Sequence, residues 1–323
     1  MKSRTTILFI LFTAAVAVLF AADIAVGSVS IPIRDVWAAL TGGECDPTTA
    51  RIIRDIRLMK AVVALVAGAA LAVSGLQMQT LFRNPLAGPY VLGVSSGASL
   101  GVALFILGAP MLGLTGHAWL SSLGVAGAAW IGAAATLALV AAISTRIKDI
   151  MVILILGMMI SSGVSAIVQI LQYLSAEEAL KSFVVWTMGS LGDVTATQLA
   201  LLLPAIKSLN MLLLGENYAR SMGLDLRRSR SIILLSTTLL AGTVTAFCGP
   251  IGFIGLAMPH VARVIFRNAD HRTLMPAAAL TGAASLLLCD MVAKLLALPV
   301  NSITALLGIP VVVWVVVRNR NIV

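Results

Sequence analysis

A chain of 323 residues that is 59% hydrophobic and only 11% charged cannot hide its apolar surface in one soluble core, since average globular chains carry about 25% charged residues. Lipid is the second solvent, and long apolar runs without alternating polarity satisfy their backbones as helices rather than as a β-barrel. The net charge of +9 would suit nucleic acid, but no basic stripe is interleaved with aromatics, so Lys and Arg in cytoplasmic loops are the better reading.

Apolar runs of about 17–25 residues mark membrane spans. In chain order they are Ile7 to Val26, Ala61 to Phe82, Val91 to Leu107, Leu120 to Ile143 and Ile150 to Leu174. Leu191 to Ile206, Ser231 to Phe247, Ile251 to Phe266, Leu274 to Leu296 and Ile303 to Val317 follow. The reading is ten spans. The first could be a secretory signal ending near Ala21-Ala22, but its length favours a retained helix.

With the N-terminus in the cytoplasm and ten alternating spans, the inside segments hold 15 of the 22 Lys and Arg residues. Nine of the 13 acids fall outside. Both biases fit the positive-inside rule and place the two termini in the cytoplasm. Gly27 to Lys60 is then a long outer loop and Lys207 to Arg230 a long inner one, and such loops are commonly functional. Ser175 to Trp186 reads as a short amphipathic helix on the outer surface. No soluble domain interrupts residues 1–323, so the chain is expected to be a single transmembrane domain.

Gly93, Gly97 and Gly101, four apart on the third span, predict a smooth groove for a neighbouring helix, and Gly68 to Gly75 offers small residues on the second. Arg83-Asn84-Pro85-Leu86-Ala87-Gly88-Pro89 predicts a turn in which Asn84 bonds local backbone. Glu216 to Met222 can form a short helix stopped by Gly223. That helix is either a solvated loop element beside a basic anchor or a surface that docks a cytoplasmic partner. Arg51, Arg54, Arg57 and Lys60 recur every three residues and would share a broad helix face. Charge alone leaves open whether they make local salt bridges or dock an acidic soluble partner.

Asp290 and Lys294, in the favourable acid-before-base order, stand near the outer end of the ninth span, where Lys294 can snorkel. His260 beside Pro259 reads as a structural hydrogen-bonding residue. The three cysteines and three histidines are scattered, so neither a disulfide framework nor a metal site is expected. No GxxxxGK[ST] phosphate loop and no HExxH or GxSxG motif occurs. The chain is therefore expected to have no ATPase site, no catalytic residue and no directly bound cofactor.

Several stretches in this order resemble the FecCD-type permeases, the membrane subunits of type II ATP-binding-cassette importers for iron-siderophores, haem and vitamin B12. They include Asp55-Ile56-Arg57-Leu58-Met59-Lys60, Gly68 to Gly75, Arg83 to Ala87, Leu92 to Ala98, Trp186 to Ser190, Leu214-Gly215-Glu216 with Ala219-Arg220, and Gly249 to Leu256 leading into Pro259-His260-Val261-Ala262-Arg263. The resemblance implies an all-α, ten-helix permease like that of the vitamin B12 importer. It also implies a homodimer in the bacterial inner membrane, two separate ATPase subunits that use ATP below it, and a periplasmic substrate-binding protein above.

By the same resemblance, Glu216, Asn217, Tyr218, Ala219, Arg220, Ser221, Met222 and Gly223 form the coupling helix. The resemblance also implies that Arg57, Lys60 and Lys294 meet acidic residues of the binding protein; Ile150 and Met151, which open the fifth span on the cytoplasmic side, are the candidate gate from their position alone. The chain departs from the family pattern at Met59-Lys60 for Pro-Arg, at Asn301 for Gly and at Ile309 for Ala. Lys60 keeps the charge of Arg but loses its bidentate fork. The rival readings are a transporter driven by an ion gradient, which needs acids or broken helices at mid-membrane, and an integral membrane enzyme.

Overall fold

The computed structural model describes residues 2–27, 29–82, 84–108, 123–144, 147, 150–192, 226–268 and 270–319, and every regular element among them is helical. The chain starts with α1 (Lys2–Ala25), α2 (Ile33–Thr41) and α3 (Pro47–Arg51), and a π-helical turn (Ile52–Leu58) then runs straight into α4 (Met59–Leu81). α5 (Val94–Ala103) ends in a second π turn (Leu104–Gly108), and α6 (Leu123–Ser144), α7 (Ile150–Leu174) and α8 (Glu177–Thr187) follow. The last four are α9 (Leu226–Cys248), α10 (Ile254–Phe266), α11 (His271–Leu296) and α12 (Val300–Asn319).

Among the described residues, four helical stretches are long and apolar enough to cross a membrane: Arg4–Ala25, Pro47–Leu81, Met151–Leu174 and His271–Leu296. Val94–Gly108, Gly124–Val140, Ile233–Cys248, Ile254–Phe266 and Val300–Val315 are shorter apolar helices. Nine of the ten expected spans fall on these helices, and the fifth matches α7 residue for residue. The sixth lies outside the described residues beyond Gly192. α1 leaves Ile10 63% and Val18 68% exposed, and α7 leaves Met159 67% exposed. Apolar side chains on such helices are solvated by hydrocarbon.

Contacts gather into two compact units, one of Met1–Val73, Ser190–Pro204 and Ile251–Val323, the other of Ser74–Gly189 and Ala205–Pro250. In the first unit α11 packs against α1 and α10, and α10 against α12. Phe9 and Phe12 of α1 tilt onto Phe266, with ring centroids 4.8 and 5.6 Å away. α4 crosses α11 at Gly68 and Gly282. A Cβ on Gly68 would stand 2.8 Å from the Gly282 carbonyl carbon and 2.9 Å from Leu286 Cβ, so the approach needs two glycines.

Before α10 the backbone makes a three-residue γ-turn. Ile254 N–H donates to Gly252 O at 2.8 Å, with Phe253 at φ 64°, ψ −33°. This turn is rare and strained for a residue with a side chain. α12 clips it from outside: Asn301 Oδ1 accepts from Gly252 N at 3.0 Å, and Gly308 leaves room for the Phe253 ring.

In the second unit α5 packs closely on α6. Gly97 and Gly101 face Gly132, Ala128 and Thr136 so tightly that a Cβ at any of the three glycines would overlap backbone. The predicted groove is therefore real at Gly97 and Gly101. Gly93, the left-handed residue (φ 80°) from which α5 starts, borders the same approach, since a Cβ there would lie 3.1 Å from Thr136 Cγ2 and 2.9 Å from Ser161 Oγ. The predicted turn also forms: Asn84 Oδ1 accepts from Leu86 N at 2.9 Å and Asn84 O from Ala87 N at 3.1 Å. Gln77 Oε1 accepts from Thr237 Oγ1 at 2.9 Å, pinning α9 to the end of α4.

The segment from Gly27 to Lys60, expected as a loop, is mostly helical. Asp46 caps α3 by accepting from Thr49 N at 2.9 Å, ahead of Pro47 in the first turn. The apolar count starts only at Ala61 because the charged residues before it belong to the same continuous helix.

A buried charge cluster and a polar cleft as candidate functional sites

The expected three-residue periodicity of the basic residues fails at the π turn. Bonding from i to i+5 widens the coil, so a three-residue step no longer returns to the same face. Arg51 and Arg54 point out, while Arg57 is 4% exposed. Among the described residues Arg51 makes only a long, exposed contact with Asp55, 4.0 Å, and Arg54 Nε donates to Ala39 O.

Arg57 turns in toward the end of α1. The last carbonyls of a helix have no partner of their own and carry its negative dipole end. Arg57 Nη1 donates to Ala25 O at 2.7 Å and Ile24 O at 3.2 Å, and Nη2 donates to Val29 O. Gly27 makes this possible, because a Cβ there would lie 2.7 Å from the guanidinium carbon. Arg57→Met is expected to cost about 1.5–3 kcal/mol, the range for hydrogen bonds to a charged group. Gly27→Ala should lower thermal stability in the same direction, and unfolding of the detergent-solubilised protein checks both.

Lys294 completes the same helix end. Its Nζ donates to Asp23 O at 3.2 Å and Asp23 Oδ1 at 2.9 Å, and it pairs with Asp290 Oδ2 at 2.6 Å. The Lys294 side chain is 9% exposed, that of Asp290 3% and that of Asp23 0%. Two carboxylates and two cations are thus buried between α1, the π turn and α11. The snorkelling expected of Lys294 does not occur, because Asp23 draws its ammonium inward.

Lys60 differs from the other two docking candidates. It is half-buried beside Gly192 and makes no ion pair or hydrogen bond among the described residues. Ile150 opens α7, and the neighbouring Met151 is 45% exposed. Glu216 to Gly223 lies outside the described residues. His260 is 5% exposed with Nδ1 3.4 Å from Arg263 Nη1, which fits its structural reading. No cluster of His, Cys, Asp and Glu able to hold a metal occurs among the described residues.

A cleft of about 250 Å³ lies within the second unit. α5 supplies Ser95, Ser96 and Ser99, α7 supplies Ser165, Gln169 and Gln172, and α8 closes it with Thr187 over the side chains of Val168 and Phe183. The α7 residues are spaced four and three apart, a single helix face. That spacing was readable in the sequence, but only the fold shows three serines of another helix opposite it.

These features define a polytopic α-helical membrane protein with a tight glycine-mediated core and buried ion pairs. The chain belongs to the FecCD transport family, whose family model matches residues 14–318, and it is a permease of the ATP-binding-cassette importer type. It is 37% identical to the hemin transport system permease protein HmuU of Yersinia pestis over 91% of this chain and 90% of that one. It is 34% identical to the molybdate import system permease protein MolB of Haemophilus influenzae, over 88% and 86%. It is 35% identical to the vitamin B12 import system permease protein BtuC of Shigella boydii, over 88% and 89%. Among solved structures, a metal-chelate-type ABC transporter in an inward-facing conformation superposes with TM-score 0.81 at 31% identity, covering 97% of this chain and 99% of that one.

Proposed function

We propose that this permease carries an iron chelate, haem or vitamin B12 across the bacterial inner membrane, with both termini in the cytoplasm. The observation that carries this reading is whole-chain similarity to haemin and vitamin B12 permeases, joined to a fold shared with a metal-chelate-type transporter. The working unit is a homodimer with two ATPase subunits and a periplasmic binding protein. The chain binds no ATP and no cofactor of its own, and residues 1–323 act as one membrane domain.

Glu216 to Gly223 couples the ATPase to α7, and Ile150 with Met151 forms the inner gate. Docking of the binding protein centres on Lys60. Arg57 and Lys294 meet that partner only by exchanging their internal oxygen ligands for its carboxylates.

Uptake by reconstituted vesicles tests the reading. An ATPase-dead partner subunit should abolish transport and a protonophore should leave it unchanged; the reverse pattern means an ion-gradient transporter. Replacing Glu216 to Gly223 by a Gly-Ser run should lower ATP-driven uptake at least tenfold while the permease still purifies as a folded dimer. Full uptake by that variant would remove the segment from the coupling path.

A further inference from the structure

The polar cleft of the second unit has no role in the family assignment or in the charge cluster. Thr187 spends its hydroxyl on Val184 O at 2.7 Å. Ser95, Ser96, Ser99, Ser165, Gln169 and Gln172 make no side-chain hydrogen bond among the described residues. Hydrocarbon cannot satisfy such groups, so the cleft faces water or a ligand. Hydroxyls and primary amides each donate and accept, and among the described residues no charged side chain lines the cleft.

That lining suits a group that also does both, an amide or a hydroxyl. A bare carboxylate or oxyanion would meet no counter-charge there, and an unpaired ion is costly to desolvate. Beneath the polar wall, Val168 is 8% exposed and Phe183 1% exposed, which gives the ligand's carbon skeleton an apolar floor. At about 250 Å³ the cleft is smaller than sites that enclose a drug-sized ligand, about 300–1,000 Å³. It takes a peripheral group of a larger solute.

We propose that this cleft is a solute-contact site that engages neutral amide or hydroxyl groups on the rim of the transported molecule, so that the permease favours charge-free, hydrogen-bonding cargo surfaces over ionic ones. The inference rests on the permease reading and narrows its substrate class.

The test uses the full transporter, permease with ATPase and binding protein, in liposomes. The probes are vitamin B12, which carries an amide rim, hemin, which carries carboxylates, and molybdate, a small oxyanion. The native transporter should move vitamin B12 in preference to the other two. Gln169→Leu combined with Ser165→Ala should lower vitamin B12 moved per ATP hydrolysed at least tenfold, with binding-protein-stimulated hydrolysis intact. Gln169→Asn should restore part of the loss.

Should the double variant not fold, Ser99→Cys supplies the second measurement. A neutral maleimide should label it faster than a sulfonated one, and vitamin B12 should slow that labelling. Preference for hemin or molybdate, an unchanged transport-to-hydrolysis ratio, or labelling indifferent to vitamin B12 would each overturn the proposal. None of these disturbs the permease reading, which fails only if no ATPase partner drives uptake.

Discussion

Lys294→Met is expected to destabilise the permease by about 3–5 kcal/mol, the cost of leaving buried charge without its partner. The side chains of Asp23 and Asp290 are 0% and 3% exposed, so neither carboxylate can turn to water when the ammonium is gone. The double variant Lys294→Met, Asp290→Asn should recover part of the loss, because one of the two stranded charges is removed as well. Thermal unfolding in detergent, read by size-exclusion recovery, measures both. A residue that served docking alone would behave otherwise: Lys294→Met would keep its melting temperature and lose only affinity for the binding protein. That pattern would remove the ion cluster from the account of stability.

The second large effect lies at the α4–α11 crossing. Gly282→Leu drives a side chain into the Gly68 carbonyl and toward Ala72 Cβ, which would be only 2.5 Å from the new Cβ. Overpacking a tight core typically costs about 1–3 kcal/mol. Here the obstacle is backbone, so the two helices must separate rather than a rotamer shift. The expected result is a sharp fall in folded permease recovered from membranes, with Gly282→Ala intermediate. Equal recovery of native and Gly282→Leu protein would mean that the crossing is looser than described.

Much of this architecture is legible in residue order. The fifth span is bounded by Asp149 and Ser175 and needs nothing but hydropathy to place. Asn84 declares its own turn, since its bonds close within three residues. The inward face of Arg57 was not legible, because a π turn changes the angular step without changing the composition. Asp23 was missed as a partner of Lys294 because the two lie 271 positions apart, and one acid at the end of an apolar run gives no hint of what faces it. Asn301 read only as a departure from glycine. Its amide oxygen has a specific task 49 residues upstream, and no local pattern announces a bond of that length. Coupling through Glu216 to Gly223 still rests on the motif.

The γ-turn at Phe253 bears on how the protein is made. A ribosome delivers Gly252, Phe253 and Ile254 well before Asn301 and Gly308, so during synthesis the unfavourable kink has no clasp. The C-terminal helix is then more than a final crossing of the bilayer. Its arrival is the event that fastens an earlier bend, and nascent chains halted short of Asn301 should leave that bend open to proteolytic attack.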